Sequence, residues 1–62
     1  MSIPLSDQLK CVRREIAFRE RVYARRVADR KMTQAQADRE IATMKAVAET
    51  LAPLARAEEL PL

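Results

Sequence analysis

The chain has no glycine, no histidine and no tryptophan, and only one cysteine, one phenylalanine and one tyrosine. Each scarcity removes a class of function. Without histidine or a Cys–x–x–Cys pair there is no recognisable zinc-ligand set, so no metal is expected. Without glycine there is no phosphate-cradling loop. With Cys11 alone, no disulfide can form within the chain. No nucleophile has a base beside it, so no catalysis and no cofactor are expected. Cys11 follows Lys10 and precedes Arg13 and Arg14, but with no base available it reads as a small buried hydrophobe.

No apolar run reaches the roughly 20 residues that a membrane span requires, so no membrane partner is expected. The opening Met1-Ser2-Ile3-Pro4 lacks the basic and apolar regions of a secretion signal, and the single thiol suits a reducing cytoplasm.

What remains is 62 residues rich in Ala, Arg, Glu, Leu and Met, side chains that lose little freedom on a helical backbone. A chain of this size buries only about 60% of its unfolded surface. Disulfide and metal being excluded, association is the remaining source of stability.

Leu5, Leu9, Val12, Ile16, Tyr23 and Val27 recur at helical spacing and predict a first helix from about residue 6 to about 30. Ser6 is placed to cap it, with Asp7 in the first turn. Arg25, Arg26, Arg30 and Lys31 suit the negative end of its dipole. Thr33-Gln34-Ala35-Gln36 has the pattern of a capping box and predicts a second helix from about residue 34. Pro53 is expected to end it near residue 52, leaving residues 53–62 as a further turn or tail.

A turn of only about residues 31–33 forces the two helices antiparallel. The fold class is therefore all-α, one hairpin domain over residues 1–62. Ala37, Ile41, Met44, Ala48, Leu51 and Ala55 alternate by four and three along the second helix, a seam that one partner helix cannot cover. A homo-oligomer, most simply a dimer forming a four-helix bundle, is expected.

Three surface features are candidates for function. Beyond Ile16 the inward stripe of helix 1 turns polar: Arg19, Tyr23, Arg26 and Arg30 follow Leu5, Leu9, Val12 and Ile16 on one side. One reading is internal pairing, with Asp38 and Glu40 near Arg26 and Arg30, and Glu20 near Arg19. The other is a site for an anion, most plausibly the phosphate of a nucleotide. Guanidinium forks match phosphate oxygens, and Tyr23 could stack on a base or sugar.

The second feature is an apolar patch, Cys11, Phe18 and Val22, roughly opposite that stripe. It is matched by a small-residue face of Ala35, Ala42 and Ala46 on helix 2. A patch of three with an aromatic reads either as scattered surface hydrophobes or as a contact surface for a protein. The third is a basic stripe, Lys10, Arg14, Arg21 and Arg25, which reads as a solvated face or as a track for a nucleic-acid backbone. Glu15 and Asp29 interrupt its neighbourhood. Charge is uneven: nine basic and four acidic residues up to Lys31, three and five thereafter.

The run Cys11-Val12-Arg13-Arg14-Glu15-Ile16-Ala17-Phe18-Arg19-Glu20-Arg21-Val22-Tyr23, with Lys31-Met32-Thr33-Gln34-Ala35 and Ala37-Asp38-Arg39-Glu40-Ile41-Ala42-Thr43-Met44-Lys45-Ala46-Val47, resembles short uncharacterised proteins of bacteriophages and prophages of proteobacteria. Those proteins carry a proline and a tryptophan soon after the tyrosine and a glycine before the turn. This chain has Ala24 and Arg26, and no glycine. The resemblance implies stoichiometric binding in the host cytoplasm: either blockade of a host protein or sequestration of a host molecule, including a nucleotide immune signal.

Overall fold

The computed structural model describes residues 2–60. Two helices make up the fold, α1 over Leu5–Ala28 and α2 over Gln34–Glu59, packed antiparallel through a five-residue turn. Of the tail expected over residues 53–62, residues 61 and 62 lie outside the described residues.

The start of α1 differs from expectation. Pro4, in extended backbone, is the N-cap, and Ser6 lies inside the first turn. The Pro4 carbonyl accepts from the N–H groups of Asp7 and Gln8, both at 3.1 Å. The N–H of Leu5 is taken by Glu58 from the far end of α2, at 3.0 Å to one carboxylate oxygen and 3.1 Å to the other. A carboxylate is well placed there, because free N–H groups give a helix N-terminus its partial positive charge.

α1 also ends earlier than expected. Asp29 is its C-cap, and Arg30 takes a left-handed conformation at φ 58°. The Arg30 N–H reaches the Val27 carbonyl at 3.1 Å and the Lys31 N–H reaches the Arg26 carbonyl at 2.8 Å. This pair of reversed bonds is the Schellman closure, which satisfies two carbonyls the helix end leaves free. Its left-handed position is normally glycine, and a Cβ there costs about 1 kcal/mol. Arg30 and Lys31 therefore stand outside the helix, not in its last turn.

The capping box is present at α2. Thr33 Oγ1 accepts from the Gln36 N–H at 3.1 Å, and Gln36 Oε1 accepts from the Thr33 N–H at 3.0 Å. Pro53, expected to stop this helix, lies within it, and α2 continues to Glu59. Proline cannot donate to the carbonyl of residue 49, and its ring crowds that carbonyl. Both Glu49 and Pro53 are exposed, so water can serve the freed carbonyl while the inward residues keep their packing.

That packing is thin. Among the described residues only Leu9, Ile16, Ala37 and Ala55 are buried, at 5–8% exposure, and none of these side chains is fully shielded. Leu5, Val12, Tyr23 and Val27 of α1, and Ile41, Met44, Ala48 and Leu51 of α2, are half-buried along the same line. The seam expected for α2 thus faces α1. Among the described residues no helix is long and apolar enough to cross a membrane.

Candidate functional site

The polar half of the α1 stripe is split by the fold. Arg19 is half-buried and engaged on both sides. Its Nε donates to Glu15 Oε1 at 2.7 Å, and its Nη1 donates to the Tyr23 hydroxyl at 3.3 Å. These bonds, Glu15 first and then Tyr23, hold the Arg19 guanidinium above its ordinary pKa. The pair with Glu15 is the one ion pair among the described residues. Arg19 is therefore neutralised by its own helix, by an acid one turn back and not by Glu20. The sequence carries the signal in its Glu15–Arg19 spacing, with the glutamate N-terminal, the more favourable order.

Tyr23 sits where the inward stripe meets solvent. Its oxygen accepts from Arg19, which leaves its O–H free to donate outward. On one side of the hairpin it lines an open groove of about 530 Å³ together with Val22, Arg26, Lys31, Gln36 and Glu40. On the other side it lines a groove of about 420 Å³ whose charged residues are Glu20, Asp38 and Lys45. The first groove carries two cations and one acid, the second two acids and one cation. Only the first suits an anion.

Arg26 and Lys31 have no carboxylate within ion-pair distance among the described residues. The acids expected to serve the arginines do other things. Asp38 accepts from Gln34 Nε2 at 2.8 Å, and Glu40 lines the groove without pairing to Arg26. Arg30 does not join Arg19, Tyr23 and Arg26. Its left-handed backbone places it in an adjoining depression with Val27, Thr33 and Gln34, which shares Lys31, Met32 and Gln36 with the groove. The residue brought in instead is Lys31. Extending an ideal helix past Ala28 misplaces it, because the Schellman closure reverses the chain between Arg26 and Lys31.

In the apolar patch, Phe18 is exposed and Val22 half-buried. Cys11 is exposed, contrary to the reading as a buried hydrophobe, because it lies on the outward side of α1 one heptad before Phe18. Ala35, Ala42 and Ala46 are likewise exposed, on the outer side of α2. All four residues of the basic stripe, Lys10, Arg14, Arg21 and Arg25, are exposed and without ion pairs among the described residues. Lys10 and Arg14 share a shallow depression with Arg13 and Asp7.

Among the described residues there is no group of three His, Cys, Asp or Glu side chains able to hold a metal ion. Comparison with protein-family models, with curated proteins and with solved structures gives no match.

Proposed function

We propose that this chain is a non-enzymatic binding protein that assembles as a homo-oligomer and holds an anionic ligand, of the nucleotide class, at the turn end of the hairpin. The reading rests on one observation: Tyr23, Arg26 and Lys31 line a common groove in which neither cation is taken by a carboxylate. Arg26 supplies a forked donor for phosphate oxygens, and Lys31 a compact positive charge. Tyr23 supplies an outward O–H and a ring face. Gln36 has its oxygen tied into the capping box, so its amide N–H groups are left to donate.

Glu40 narrows the ligand class. A carboxylate at the groove edge disfavours a small, dense anion and favours a ligand that carries hydroxyl or amino donors beside its phosphate. A nucleotide has both. The groove falls within the usual ~300–1,000 Å³ of ligand sites, yet it is open, and such sites bury most of the ligand they hold. Association of hairpins is the means of covering it. The site is thus reduced from the expected set to Tyr23 and Arg26 with Lys31; Arg19 positions Tyr23 and Arg30 lies in the adjoining depression.

Capture without turnover agrees with the role implied by the resemblance to short phage proteins, where a host signal is sequestered. Isothermal titration against mononucleotides and cyclic dinucleotides tests it. Saturable heat that falls at least tenfold in affinity in Arg26→Ala is the expected result. No heat at high micromolar ligand, with the oligomer shown to be folded, rejects it. A second reading, blockade of a host protein, is favoured by the exposure of Phe18. It requires that Phe18→Asp abolish capture of a specific host protein while leaving the hairpin's own association intact.

A further inference from the structure

The exposed apolar side chains are not scattered. Phe18 is 52% exposed on α1, and Val47 and Leu54 are 44% and 50% exposed on α2. Val47 and Leu54 are one heptad apart, and Gln36 and Glu40 of the turn-end groove continue their line. On α1, Val22 and Arg26 lie on the same side, with Phe18 at its outer edge. Half-buried Val12 and Leu51 lie between the two lines. This face of the hairpin is apolar at Val12, Val22, Val47, Leu51 and Leu54, interrupted by the Glu15–Arg19 pair and, at the turn end, by Arg26, Gln36 and Glu40. The opposite face carries Arg13, Glu20, Asp38, Lys45 and Arg56.

We propose that this face is covered by a second copy of the chain, with α1 of each copy lying over α2 of the other and both turns at the same end. Three observations select that occupant. The first is area. The chain exposes 5225 Å², whereas a compact monomer of 7.1 kDa exposes about 4,100 Å². The excess is about 1,100 Å² per chain, and two copies hiding it bury about 2,200 Å², the size at which obligate homodimers begin.

The second is shape. The radius of gyration is 14.6 Å, against about 10.6 Å for a compact domain of this length, and the molecule measures 51 × 18 × 16 Å. A copy laid along the broad side doubles the thickness without adding length.

The third is charge, which decides the orientation. On this face α1 presents Arg26 and the Glu15–Arg19 pair, one net positive charge, and α2 presents Glu40 and Glu58, two negative charges. A two-fold axis across the hairpin sets α1 on α1, basic against basic. A two-fold axis along the hairpin sets α1 on α2, basic against acidic. In that arrangement both Tyr23–Arg26–Lys31 grooves lie at one end, and each is covered by α2 of the other copy.

The arrangement does not depend on the ligand, so it is tested without one. Sedimentation equilibrium should give twice the 7.1 kDa chain mass at micromolar concentration. Val47→Asp should weaken association at least tenfold, while Ala42→Asp, in the groove on the opposite face, should leave it unchanged. A helical species of single-chain mass at 100 µM overturns the proposal. So does equal weakening by both substitutions. Orientation is read separately, by placing a spin label at Asp29→Cys in a Cys11→Ser background. A label-to-label distance under about 30 Å is expected, since a pair of helices packs at roughly 10 Å spacing. A distance approaching the 51 Å length of the hairpin overturns the shared-end arrangement.

Discussion

Glu58, near the end of α2, grips the backbone N–H of Leu5 at the start of α1 with both carboxylate oxygens, at 3.0 and 3.1 Å. Fifty-three residues separate them in sequence, and together they close the end of the hairpin that has no covalent turn. The contact exists only because α2 runs past Pro53; a helix ending near residue 52 cannot bring a carboxylate to Leu5.

Removing that carboxylate should loosen the open end. Glu58→Ala gives up a charge-assisted bond to an exposed helix terminus, about 0.5–1.5 kcal/mol. Thermal denaturation at fixed protein concentration should show a drop of several degrees, and amide exchange at Leu5 and its neighbours should accelerate while that near Ile16 changes little. An unchanged melting temperature removes the latch from the description.

Arg30→Gly should stabilise the fold. Arg30 holds a left-handed backbone at φ 58°, which glycine adopts without steric cost. A gain of up to about 1 kcal/mol is expected in chemical denaturation. Because Arg30 lies outside the Tyr23–Arg26 groove, nucleotide affinity should be unaffected. A loss of binding in this variant restores Arg30 to the site.

Thr33→Ala removes one half of the capping box and leaves the Gln36 N–H without its partner. The cost should be about 1 kcal/mol, read from the denaturation midpoint. Thr33→Ser, which keeps the oxygen, should recover most of it.

Pro53→Ala returns a donor to the Glu49 carbonyl inside α2. The helix-interior penalty of proline is about 3 kcal/mol, offset in part by the freer unfolded chain that alanine allows. A net gain of about 1–2 kcal/mol is expected, with helicity by circular dichroism unchanged or raised. A loss of stability here means that the ring itself packs against something.

Features set by short-range chemistry were legible in the residues. The capping box follows from Thr33 and Gln36 alone, and the inward seam from Ala37 to Ala55 follows from alternation by four and three. The antiparallel hairpin follows from the brevity of its turn. What was not legible depended on contacts between distant parts of the chain. Pro53 is a helix stop by local rule, but α2 carries Ala55 onward against α1 and the freed carbonyl faces water. Ser6 is the better cap by propensity, yet Pro4 and Glu58 provide for the first turn instead.

The site was legible only in part for a related reason. Arg19, Tyr23, Arg26 and Arg30 share a side of an ideal helix. The real helix stops at Ala28, the left-handed turn at Arg30 redirects everything beyond it, and Glu15 claims Arg19 from the same helix. The apolar patch was half visible. Phe18 and Val22 stand out on α1, but Val47 and Leu54 join them only once the register between the helices is known.

A core of four incompletely shielded residues also ties the protein's life to its abundance. If the second copy supplies the missing burial, dilution unfolds the chain as surely as heat does, and the melting temperature climbs with concentration. Such a chain is then folded only after enough copies have accumulated. Below that level it is an open substrate for proteases, so synthesis rate would set both when it acts and how quickly it disappears.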